Sequence, residues 1–219
     1  MSNPVNSIND LMALLPGDVI CCAGQGSWFN NLTTWLALHR GANPNDAAVA
    51  HISGKAERAL LVEENFKGLK IVSVTALVDR PIRVYRRIGI SDEQRQQIVD
   101  TILPNVGDGY GLGKDFLDML DCLGRTYWFT QHWGFTHWKQ CACLWGWAIH
   151  TALTVSDAVF GVPWRSLQPY IVSAYCRQHP DEWELVYATL QEPILDATTS
   201  FPPAFTAAEI KALNRGWRA

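Results

Sequence analysis

Gln140-Cys141-Ala142-Cys143-Leu144-Trp145-Gly146-Trp147-Ala148-Ile149-His150 is the stretch on which the reading of this chain turns. Leu144, Trp145, Ala148 and Ala152 follow Cys141 by three, four, seven and eleven residues, the spacing of one face of a helix. Lys139-Gln140 should open that helix, which puts Cys141 in its first turn. Backbone N–H groups there have no partner within the helix, and the helix dipole favours negative charge. A thiol attacks only as thiolate, and its pKa of about 8.5 falls at a helix N-terminus or beside an imidazolium. Cys141 is therefore the candidate nucleophile, and the same N–H groups are placed to receive an oxyanion. Cys143 points elsewhere on the helix, with Trp147 and His150.

Upstream, residues 48 to 87 read as short apolar runs between polar turns: Ala48–Ser53, Leu60–Glu63, Leu69–Val74 and Ile82–Arg86. Alternation along the first run predicts Val49, His51 and Ser53 on one face of a strand and Ala50 and Ile52 on the other. Asp18 to Cys22 is a further strand, ended by Gly24 and Gly26. Ser27 can cap a helix bearing Trp28, Leu32, Trp35 and Leu36, and Ser7 a short one with Ile8, Leu11, Met12 and Leu15. Ser91 with Gln94 is a capping-box pattern ahead of the stripe Ile98, Val99, Ile102 and Leu103, which Pro104 ends. The glycines 107, 109, 111 and 113 follow a helix rather than a strand, so they do not form a dinucleotide loop. Helix resumes over 115–123. Glu184–Leu190 reads as a last strand, and Thr206 with Glu209 caps a tail helix after Pro202-Pro203. The expectation is a main domain over residues 1–200 and a tail over 201–219 docked on it.

Several elements taken together resemble a known family. Cys141-Ala142-Cys143-Leu144-Trp145 is similar to the Cys-Ser-Glu-Leu-Val signature of permuted papain-like cysteine amidohydrolases, the YiiX/YebB-like branch of the NlpC clan, related to lecithin retinol acyltransferase. Leu15-Pro16-Gly17-Asp18-Val19-Ile20 resembles that family's opening Pro-Gly-Asp strand, and Ala48-Val49-Ala50-His51-Ile52 its histidine strand. Leu61-Val62-Glu63-Glu64 to Gly68-Leu69 resembles the next strand, and Gly107 to Tyr110 the Gly-x-x-Tyr element. The resemblance implies an α+β fold of the permuted papain-like (NlpC) type, a small antiparallel sheet closing toward a half-barrel and packed on the helix that bears the nucleophile. It implies a catalytic triad of Cys141, His51 as base and Glu63 orienting the histidine, with Glu64 as the alternative third member. The implied chemistry is hydrolysis or transfer at an amide or ester carbonyl through a thioacyl enzyme, on a small-molecule, peptide or lipid acyl substrate, peptidoglycan-type amides among them. Such chemistry requires no metal or organic cofactor.

Five of the ten tryptophans fall between Tyr127 and Trp147. Aromatic clusters are usually core, but some of these rings, with Tyr110, Trp138 and Trp145 as candidates, would line a groove leading to Cys141. His132, His137, Cys141 and Cys143 carry zinc-type donors, yet their spacing lacks paired knuckles and argues against a metal site. Ala142-Cys143 stands where the family has Ser-Glu. That departure favours the competing reading, a binding or scaffold module with the same fold and no turnover.

Composition sets the outer bounds. At 219 residues, 48% apolar and 18% charged, the chain can bury one sizeable core. A net charge of -3 and a pI near 6.0 provide no basic field for nucleic acid. The first residues show no signal-peptide pattern, and no run of about 18 apolar residues predicts a membrane span. A cytoplasmic protein is expected, reaching a wall substrate only by lysis or phage delivery. Its six cysteines would be reduced, and Cys21, Cys22, Cys122 and Cys176 would act as small hydrophobes.

Overall fold

Strand-forming runs rich in β-branched residues pair here as one antiparallel sheet. The computed structural model describes residues 6–24, 28–65, 68–109, 112–133 and 140–190. Its strands are β1 (Val19–Ala23), β2 (Val49–Glu57), β3 (Leu60–Asn65), β4 (Gly68–Ser73), β5 (Ile82–Arg87) and β6 (Trp183–Ala188), in the order β4-β3-β2-β1-β5-β6. The molecule is thus α+β, as expected. Among the described residues the sheet is open, with β4 and β6 as its edges, each paired on one side only.

Helices α1 (Ile8–Met12), α2 (Trp28–His39), α3 (Pro44–Ala47), α4 (Asp92–Ile102), α5 (Leu112–Gly124), α6 (Trp128–Trp133), α7 (Cys141–Leu153) and α8 (Pro169–Gln178) complete the description. Ser91 and Gln94 close the capping box of α4, the serine hydroxyl accepting from the Gln94 N–H at 3.3 Å and the Gln94 side chain from the Ser91 N–H at 2.9 Å. Pro104 falls in the 3-10 turn where α4 stops, since it supplies no N–H to extend the ladder. Tail residues 201–219, with the proposed domain boundary and tail helix, lie outside the described residues.

Two cores form, one on each face of the sheet. Val19, Cys21, Ile52, Val62 and Tyr85 share a core with residues of α4, α7 and α8, among them Ile98, Cys141, Leu144, Trp145 and Val172. Ile20, Cys22, Leu61, Ile82 and Val84 alternate with them and pack on Leu11, Leu14, Val74 and Leu77. Buried acids tie loops to this frame. Asp46 accepts from Arg177 Nη2 at 2.6 Å and from the Ser173 hydroxyl at 3.0 Å, with Arg83 Nη1 at 3.7 Å. Asp18 accepts two hydrogen bonds from Arg86, at 2.9 and 2.7 Å, and one from the Leu15 N–H at 2.8 Å. No helix among the described residues is long and apolar enough to cross a membrane.

Candidate functional site

Cys141 is the first residue of α7, with Gln140 as N-cap in extended backbone, as the helical spacing predicts. It is buried, 3% exposed, among the apolar residues of the α7 core. Trp145, one turn on, fills the space directly over Gly54 of β2, so that a Cβ at that position would overlap the indole ring. Glycine is required there for close approach, and the contact locates α7 on the Gly54 face of the strand. Trp145 is 1% exposed. It packs the core, which corrects the expectation that it lines an open groove.

His51 belongs to the other face. It is half-buried on β2, opposite Cys22 of β1, and its Nε2 lies 3.0 Å from the Ser53 hydroxyl. Ser53 is fully buried and faces Glu63 of β3 in the strand register. Glu63 in turn accepts from Arg80 Nη1 at 3.4 Å. The same face carries Lys55, whose buried ammonium donates to the Leu11 carbonyl at 2.8 Å and to that of Arg58. Side chains alternate along a strand, and Ile52, between His51 and Ser53, lies in the core that holds Cys141. The structure therefore brings His51, Ser53, Glu63, Arg80 and Cys22 together and sets them on the sheet face opposite α7. The expected Cys141–His51 dyad is not assembled across this sheet.

Alternation predicts the pairing of His51 with Ser53 correctly, and misplaces Val49. A register irregularity where Ala23 meets Val49 adds a residue to β2, and Val49 joins Ile52 in the α7 core.

Electrostatics in the polar cluster follow from burial. Desolvation drives the His51 pKa down to about 4, with the Glu63 carboxylate holding it up and Arg80 adding to the fall. The imidazole is neutral at pH 7, the form a base needs. Burial pushes the Cys22 thiol up to about 12, Arg80 opposing and Glu63 adding to the rise, so Cys22 is no nucleophile. Ser53 has the hydrogen-bond geometry of a hydroxyl activated by histidine, but a fully buried hydroxyl is closed to a substrate carbonyl.

Tyr110, Trp138 and His137 lie outside the described residues, as do the side chains of Glu64 and His132. Among the described residues, no group of three or more His, Cys, Asp or Glu side chains is arranged to hold a metal ion. All six cysteines are buried and free of disulfides. Arg80 and Cys22 were not candidates from the sequence, and the register of β1 on β2 is what joins them to His51. No family model, no curated protein and no solved structure matches the chain.

Proposed function

We propose that this chain is a binding or scaffold module on a permuted papain-like frame, holding a ligand without Cys–His turnover. One observation carries the reading: the helix with Cys141 and the histidine that would activate it lie on opposite faces of β2. A neutral imidazole fixed to Ser53 on the far face takes no proton from a thiol in the α7 core. The ligand classes implied by the family resemblance, a peptide, small-molecule or lipid acyl group, are then held rather than cut.

Acyl transfer is the second reading, and the place of Cys141 in the first turn of a 13-residue helix favours it. In that reaction His51 takes the thiol proton, Cys141 attacks an amide or ester carbonyl, the leaving group departs with a proton from the imidazolium, and water or another nucleophile releases the acyl group. Glu63 would stabilise the imidazolium. This chemistry requires His51 to reach the α7 face, and a slip of β2 by one residue is the movement that exchanges its two faces.

A p-nitrophenyl ester separates the two. The binding reading predicts neither a burst of nitrophenolate nor an acyl adduct by intact mass. An adduct mapped to Cys141 and lost in both Cys141→Ser and His51→Gln would establish the acyl-transfer reading instead.

A further inference from the structure

Helix α5 turns its apolar side away from the protein. Phe116, Met119, Leu120 and Leu123 are spaced by three, four and seven residues, which puts them on one face. Phe116 is 55% and Leu123 42% exposed, with Met119 and Leu120 half-buried between them. Leu117, Asp118, Asp121 and Cys122 make the opposite face and are buried. Asp121 is fixed there by the Phe129 and Thr130 N–H groups, each at 2.9 Å, and by the Thr130 hydroxyl at 2.6 Å. Trp128, the first residue of α6, is 46% exposed. In the turn between the two helices Arg125 is exposed, and its Nη2 donates to the His39 carbonyl at 2.9 Å. Arg40 stacks on Tyr127 of the same turn at 4.2 Å.

Burying two carboxylates while exposing Phe116 and Leu123 reverses the arrangement that water imposes on a helix, and an apolar face left outside marks an interaction surface. Charge identifies what meets it. Among residues 116–130 both acids are turned inward, and the exposed charge is that of Arg125. A second copy of the chain would bring this face the same sign of charge, whereas a bilayer with anionic headgroups brings the opposite one. Tryptophan and arginine at the end of an apolar helix face suit the headgroup level, with the phenylalanine and leucine below it. We propose that α5 and Trp128 dock on the surface of an anionic bilayer, Phe116 and Leu123 entering the acyl boundary and Arg125 meeting the lipid phosphates. The 13-residue helix lies in the interface and does not cross the membrane. This surface involves neither Cys141 nor His51, and the inference stands on either functional reading.

Flotation of the full chain with vesicles tests the surface. Vesicles of phosphatidylcholine mixed with phosphatidylserine should carry the protein up the gradient, and vesicles of phosphatidylcholine alone should carry much less. Replacing both exposed apolar residues, Phe116→Ser with Leu123→Ser, should weaken binding by about tenfold or more at an unchanged Tm, because neither side chain is part of a core. Arg125→Gln leaves the apolar face whole and should lower binding to the anionic vesicles several-fold, which serves if the double variant does not fold. Binding that is absent, equal on the two lipids, or unchanged in these variants overturns the proposal. A dimer in sedimentation velocity that the double variant abolishes, with no flotation, would assign the face to a second copy and overturn it as well.

Discussion

The two faces of β2 solve opposite problems with residues that alternate along one strand. On the α7 side, Ile52 and Gly54 meet Leu144 and Trp145 in an apolar contact so close that glycine is the residue that admits the indole. On the other side, His51, Ser53 and Lys55 bury polar groups, each with a partner supplied by a neighbouring residue: the serine hydroxyl for the imidazole and two backbone carbonyls for the ammonium. A face packed without tolerance resists any change of register. A polar face in which each group depends on another is sensitive to pH. The chain order of histidine strand before cysteine helix does not bring the two side chains together, because the sheet separates alternate residues.

Breaking the apolar face should cost most. Trp145→Ala is expected to destabilise by about 3–5 kcal/mol in urea titration, as large aromatic truncations in cores do. Gly54→Ala should destabilise the wild type strongly and the Trp145→Ala background little, a coupling of about 1–3 kcal/mol in the double-mutant cycle. Additive effects would mean that α7 does not lie on Gly54. Behind the same face, Asp46→Ala leaves Arg83 and Arg177 without their buried carboxylate and should cost about 3 kcal/mol by the same titration.

On the polar face the pH dependence sharpens the contrast. The His51 pKa is lowered in the folded state, from 6.5 to about 4, chiefly by burial. Between those values the unfolded chain binds a proton that the folded chain does not, so stability falls as pH drops through that window and is fully present above it. Urea midpoints at pH 7 and pH 5 should differ more in the wild type than in His51→Gln; an equal difference in both would show that His51 is not the buried neutral group. The smallest effect is expected from Ser53→Ala, about 1 kcal/mol for one lost hydrogen bond, read from the same midpoints.

Much of the frame is legible in the sequence. The apolar runs at Leu60, Leu69 and Ile82, the Ser91 capping box and the Cys141 helix all appear where local spacing places them, because each is marked by the periodicity or the capping residues of its own segment. What local spacing does not contain is which sheet face a helix covers. That follows from the packing of Trp145 over Gly54, a contact between residues ninety-one positions apart. The bulge opposite Ala23 is hidden for the same reason: Val49 leaves the face of His51 through pairing with another strand. Of the candidate site, the alternation of the histidine strand puts His51 and Ser53 on one face, as the structure has them, whereas Arg80 joins them only through the fold. Trp145 looked like a groove residue because a tryptophan-rich segment looks the same whether its rings face a ligand or a core.

A disulfide trap tests the opposed faces most directly. His51 and Cys22 are Cα partners on adjacent antiparallel strands, with side chains on one face, a separation that a disulfide can span. Oxidation of the His51→Cys variant, followed by peptide mapping, should join position 51 to Cys22. A link from position 51 to Cys141 would contradict the arrangement and restore the Cys141–His51 dyad.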